Sequence, residues 1–192
     1  MNPETKAQYW AKGVLKPDNA YHHEILNTLE RYPLNGIQTE YLYEKRLTDF
    51  LNQEHPICKV AVGIRKLKAN TRGALINIPL EGKGFFIAQA FAGTMVRNQL
   101  QTVIIDLDSA LKQLKDTGLR PAAVYVITYP TRYNGHVTDY NRANLFDLLV
   151  WAEQKDVYLV VINDAANSGT FNFTDDELGY VNSRFFPVGE LQ

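Results

Sequence analysis

A chain of 192 residues, 45% hydrophobic and 11% aromatic, has room for one substantial core and is too apolar to stay disordered. Twenty basic against 21 acidic residues leave a net charge of -1, so nucleic acid is not expected as a partner, although a local basic patch fits inside that total. A single cysteine, Cys58, excludes an intrachain disulfide; no apolar run approaches the ~18 residues of a membrane helix, and the polar start is no signal peptide, so the cytoplasm is the expected location.

In chain order, residues 1–17 read as a loosely tied N-terminal arm, anchored by Tyr9 and Trp10, and residues 18–192 as a single α/β domain. Asp18 is placed to cap a helix running to about Tyr32, with Tyr21, Ile25, Leu26 and Leu29 on its inner face. Asn35-Gly36 marks a turn. Thr39 then caps a helix in which Tyr43, Leu47, Phe50 and Leu51 fall at helical spacing. Ile57 to Ile64 reads as a strand. The cations Arg65, Lys66, Lys68 and Arg72 follow it, either as a solvated loop or hairpin or as a phosphate or nucleic-acid patch. Gly73 to Pro79 is a strand, and Phe85 to about Asn98 a helix facing inward through Phe86, Ala90 and Met95. Gln101 to Asp106 is a short strand; Asp108 caps the next helix, which stops at Gly118.

From Arg120 to Phe171 the chain reads apolar run, polar turn, amphipathic helix, apolar run. Residues 122–129 and 156–164 are rich in β-branched and aromatic residues without alternation, as strands covered on both faces are. Between them Leu145, Leu148, Leu149 and Ala152 make one helical stripe. This is a right-handed βαβ unit with parallel strands. It places the Pro130–Gly135 loop and Asn163-Asp164 at the carboxyl edge of one sheet, where open α/β sheets bind ligands. The expected fold is three-layer α/β, a mostly parallel sheet with helices on both faces. The tail, Asn172 to Gln192, has no clear period and is pinned by Phe171, Phe173, Phe185 and Phe186.

A carboxylate ending a buried strand is poorly hydrated, so Asp164 either does chemistry or serves as a cap or a salt-bridge partner for Arg132 or Arg142. The histidines at 22, 23, 55 and 136 match no metal spacing, so no metal is expected. Gly82-Lys83-Gly84 resembles a fragment of a phosphate-binding loop but lacks the GxxxxGK[ST] frame, and no GxGxxG or GxSxG occurs.

Three stretches together resemble fold-type-I pyridoxal-phosphate enzymes, the aminotransferases, β-eliminating lyases and basic amino-acid decarboxylases. They are Asn163-Asp-Ala-Ala-Asn-Ser-Gly-Thr-Phe171, Tyr129-Pro-Thr-Arg-Tyr-Asn-Gly-His-Val-Thr138, and Tyr32-Pro-Leu-Asn-Gly-Ile37 followed by Leu47-Thr-Asp-Phe-Leu51. The resemblance runs from about residue 24 to 173 and implies the large-domain scaffold of that family, with pyridoxal phosphate as cofactor. It implies that Asp164 keeps the pyridine nitrogen protonated, that Asn134, or Thr131 beside it, contacts the phenolic oxygen, and that Asn167 stands where a tyrosine often touches that oxygen. The chain departs from the family in two places: no lysine follows Lys155 to form the Schiff base, and residues 62–73 lack a small-residue phosphate cup. The implied protein is a shortened or partial aminotransferase-like domain, without evident catalysis of its own. It takes an amino-acid-related small molecule and assembles as a homo-oligomer or with a partner chain. The alternatives are a non-catalytic binding or assembly module on the same scaffold, or an unrelated α/β enzyme using Asp164 with Arg132 or His136 on a phosphorylated or sugar-like substrate.

Overall fold

The computed structural model describes residues 1–129 and 137–192. Helices α1 (Pro3–Ala11), α2 (Ala20–Asn27) and α3 (Glu40–Tyr43) lead, with short 3-10 turns at Leu29–Arg31, Pro33–Asn35 and Leu47–Asp49, to the long helix α4 (Pro56–Asn70). Then follow β1 (Gly73–Ile78), α5 (Gly84–Arg97), β2 (Thr102–Asp106), α6 (Leu107–Asp116), β3 (Val124–Tyr129), α7 (Asp139–Gln154) and β4 (Leu159–Asp164). The chain closes with α8 (Ala165–Ser168), α9 (Asp175–Arg184) and β5 (Phe185–Gly189).

The five strands form one sheet in the order β2-β3-β4-β1-β5, and every neighbouring pair is parallel. Parallel strands need both faces covered, and here both are. Ala74, Ile76, Val126, Val160 and Ile162 meet α4 and α5 on one side, in a cluster that includes Ile64, Ile87 and Phe91. Leu75, Tyr125, Ile127, Leu159 and Val161 meet α6, α7 and α9 on the other, through Ala110, Leu145, Leu149 and Val181. The expected three-layer α/β architecture is therefore the observed one, and β3–α7–β4 is the parallel βαβ unit.

Local chemistry explains where the elements differ from expectation. Residues 57–64 are not a strand but the first half of α4: Ile57, Val60, Ala61 and Ile64 are its buried face, at i, i+3, i+4 and i+7. His55 caps that helix, and Pro56 occupies its first turn. The cations at 65–72 consequently sit on the end of a helix and the lead into β1. Arg65 donates to Asn98 O (2.9 Å), Lys68 donates to Ala123 O and lies over the Tyr158 ring, and Arg72 pairs with Asp156. Three of the four thus have partners within the chain. Asn19, not Asp18, caps α2, and the helix expected after Thr39 is broken into α3 and a 3-10 turn. Asp106 rather than Asp108 caps α6, and Phe86 is exposed rather than inward. The tail is regular: Thr174 and Glu177 make a reciprocal capping box for α9, and β5 adds an edge strand to β1.

Strand order also fixes where a crevice forms. The connection leaving β1 turns to the α5 face, whereas the connection leaving β4 turns toward α9 on the opposite face. Neighbouring strands whose exits diverge leave a gap at their carboxyl ends, the usual ligand position in open α/β sheets.

Candidate functional site at the carboxyl ends of β1 and β4

The residues that fill this gap come from the β1–α5 loop and from the end of β4. The loop reads Pro79-Leu80-Glu81-Gly82-Lys83, between a buried central strand and the first turn of a 14-residue helix. Leu80 is buried, while Glu81, Gly82 and Lys83 are exposed. Gly82 takes φ +76°, a left-handed conformation that glycine adopts without a Cβ penalty.

Asp164 is 4% exposed and lies beneath this loop. Its Oδ1 accepts from Leu80 N (2.8 Å) and Ala166 N (3.3 Å); its Oδ2 accepts from Gly82 N (2.7 Å) and Asn167 Nδ2 (2.9 Å). Each oxygen therefore bridges one donor of the loop and one donor of α8. Buried carboxylates persist when several N–H groups satisfy them, and four do so here. A Cβ built on Gly84 would stand 3.2 Å from the Asp164 Cβ, so the glycine at the start of α5 leaves room for the aspartate.

Next to Asp164, Asn163 ties the strand tips together. Its Nδ2 donates to Asn77 Oδ1 (2.6 Å) and to Gly169 O (2.7 Å). Asn77 in turn donates to Glu190 O, beyond β5. The register pairs Tyr129 with Asn163 and Asn163 with Asn77, so one buried polar row crosses three strands. Among the described residues the Tyr129 hydroxyl and Asn163 Oδ1 find no hydrogen-bond partner, and burial pushes the Tyr129 phenol well above its ordinary range.

A cleft of about 220 Å³ opens on the other side of the loop, lined by Phe50, Asn52, His55, Leu80, Lys83 and Ile87. It joins an aromatic ring and aliphatic walls to an amide and an imidazole. Lys83 borders it, paired at the surface with Glu81 (3.1 Å). Larger hollows lie elsewhere, among them two of note. One, of about 730 Å³, follows β2, and the charged groups lining it are occupied: Asp106 caps α6 and Arg120 donates to Asn35 Oδ1 (3.0 Å). The other, of about 440 Å³, is an apolar groove between α4 and β5.

Of the residues singled out in the sequence, Asp164 and Asn167 are brought together, as acceptor and donor. Thr131, Arg132, Asn134 and His136 lie outside the described residues. Arg142 is engaged elsewhere, with Glu177 and with Asp139 at 3.8 Å. The structure overturns the pyridoxal-phosphate reading. An aspartate that holds a pyridine nitrogen protonated must present an oxygen to an open cleft, and Asp164 spends both oxygens on backbone and amide donors beneath a loop. The Asn163–Phe171 motif is a strand end followed by a local cap. The expected cofactor, the amino-acid-related ligand and the site shared with a second chain go with that reading. Sequence reasoning set aside Gly82-Lys83-Gly84, the stretch that packs over Asp164. The signal able to retain it was its context, a strand before and a helix after.

No protein-family model and no curated protein matches the sequence. Similar solved structures include a DNA replication initiation factor, at 9% identity over 79% of this chain and 50% of that one, with a TM-score of 0.49. AMPPCP-bound DnaA from Aquifex aeolicus is 9% identical over 74% of this chain and 49% of that one (TM-score 0.48). Replication initiator DnaA bound to AMPPCP and single-stranded DNA is 7% identical over 76% of this chain and 50% of that one (TM-score 0.44). The chain spans about half the length of these proteins. Such low identity and TM-scores bear on the course of the chain alone. None of these three structures is described as a pyridoxal-phosphate enzyme, and one of them holds single-stranded DNA.

Proposed function

We propose that this chain is a nucleotide-binding domain of the P-loop type, in which the β1–α5 loop takes the phosphates and the adjoining cleft takes the base. The observation that carries this reading is the loop itself. Gly82-Lys83-Gly84 joins a central parallel strand to a helix N-terminus, and the N–H groups of Leu80 and Gly82 already converge on an anionic group. Backbone N–H groups aimed inward from a glycine-containing loop, with a lysine beside them, are the means by which such loops hold phosphate. Lys83 is free to serve: its bridge to Glu81 joins side chains 51% and 80% exposed, and exposed pairs of this kind contribute little.

The same reading assigns the domain binding without efficient hydrolysis. The loop pattern calls for a Ser or Thr hydroxyl on Mg²⁺ after the lysine, and Gly84 stands there. An aspartate completes the metal site in such enzymes, and the one that ends the strand beside β1, Asp164, has both oxygens taken by N–H donors. The residues present do not fit a divalent cation, and no step is assigned to one. A cytoplasmic location accords with a nucleotide ligand and with the single cysteine.

Titration calorimetry with ADP and ATP tests the proposal. Binding is expected between micromolar and millimolar, and Lys83→Ala should weaken it about tenfold or more, the worth of one charge-assisted contact. A folded protein that takes up neither nucleotide at several millimolar would overturn it.

A further inference from the structure

We infer that Asp164 is a built-in competitor for phosphate, occupying the loop's anion-binding N–H groups until a nucleotide displaces it. The inference rests on the nucleotide reading and adds the residue that sets its affinity. Three observations carry it. First, the donors that the loop offers to an anion, Leu80 N and Gly82 N, are both spent on this carboxylate, at 2.8 and 2.7 Å. A phosphoryl oxygen needs the same donors, and two anions a few ångströms apart repel strongly in so dry a place. Second, the loop is shaped around the aspartate. Gly84 lacks the side chain that would crowd its Cβ at 3.2 Å. Third, the carboxylate has a second pair of donors. Ala166 N and Asn167 Nδ2 belong to α8, so they remain to hold Asp164 after the loop's N–H groups pass to a phosphate.

Without nucleotide, the carboxylate preserves the loop's donor geometry and prevents its collapse. With nucleotide, it is the group that must yield. Occupancy of the loop is consequently weak for single phosphates and is won by ligands that add further contacts, a diphosphate reaching Lys83 and a base reaching the cleft beside Phe50 and His55.

The test uses the full chain, with ADP as probe in EDTA so that no divalent cation takes part. Asp164→Asn keeps the side chain's shape and removes its charge, and should bind ADP at least tenfold more tightly than the unaltered protein. Adding Lys83→Ala to that variant should cancel the gain. If the unaltered protein binds ADP and Asp164→Asn binds no more tightly, the inference fails while the nucleotide reading stands. If neither binds, both fail. Should Asp164→Asn not fold, NMR of the unaltered protein decides. ADP should shift the Leu80 and Gly82 amide protons together with the Asp164 carboxyl carbon, and ADP binding that leaves all three unmoved overturns displacement.

Discussion

Two strands of this sheet end in an aspartate, and the two side chains do different work. Asp106 closes β2 and turns straight back on its own helix: it accepts from Ser109 N (2.9 Å) and from Ser109 Oγ (2.8 Å), three residues on, and stays half-buried. Asp164 closes β4, is buried, and reaches residues 82 and 84 positions away in sequence. The surroundings make the difference. β2 is an edge strand, so its end meets water and the start of α6; β4 lies between β3 and β1, so its end meets another loop. A cap at an edge organises one turn of helix. The same residue at the sheet centre joins two connections and fills the position open to a ligand.

The largest effect that separates the two is on stability. Asp164→Ala leaves two loop N–H groups and the α8 donors without their acceptor, and should cost about 3 kcal/mol or more, read as a lower urea midpoint at unchanged slope. A loss under about 1 kcal/mol would reduce Asp164 to the status of an ordinary cap. Next in size is Gly84→Ser, which supplies the hydroxyl that the phosphate-loop pattern calls for. Its Cβ meets that of Asp164 at 3.2 Å, so overpacking should cost about 1–2 kcal/mol. In an Asp164→Gly background that Cβ is gone, the space is open and the cost should fall to near zero. Additive losses in that double-mutant cycle would show that the two positions do not share the space.

These contrasts also explain what the sequence discloses. The βαβ unit and the two-faced burial of its strands are legible because apolar runs without alternation are a local signal. Asp106 as a cap is within reach of the same reasoning, since its partner is three residues away. The partners of Asp164 are not, because only strand order brings β1 beside β4. The strand–loop–helix frame around Gly82-Lys83-Gly84 is legible in pieces; the incomplete motif hides it. The stretch from Ile57 to Ile64 misleads for another reason. Ile57, Val60, Ala61 and Ile64 fit the helical period, but the intervening Cys58 and Val62 fill it into an apolar run. Val62 is 89% exposed, so that apparent continuity is not burial. In the tail, the Thr174–Glu177 capping box is a readable helix start that the scattered phenylalanines obscure.

A smaller effect sharpens the comparison from the other side. Asp106→Ala should cost about 1 kcal/mol, the ordinary worth of an N-cap, and should leave ADP affinity unchanged, since Asp106 touches neither the loop nor the cleft. A change in affinity would mean that the edge of the sheet communicates with its centre.

The smallest effect belongs to a cap that titrates. His55 closes α4 by accepting from Ile57 N (3.3 Å) through Nδ1, which requires that nitrogen to be unprotonated, and burial lowers its pKa from 6.5. His22 has the same design: its Nδ1 accepts from Lys16 N (2.8 Å), and burial is the leading cause of its lowered pKa. With folded values below the unfolded one, the unfolded chain binds more protons in the window between them. The contribution of both groups is then fully present above about pH 6.5 and is lost as pH falls below it toward the folded values. Urea unfolding at pH 7.5 and 5.5 should therefore show lower stability at the acid end. His55→Asn keeps an acceptor over Ile57 and cannot titrate, so it should recover part of that loss, less than about 1 kcal/mol. An acid loss untouched by His55→Asn would assign the whole of it to His22 and to the remaining titrating groups, leaving the cap of α4 without a pH-dependent role.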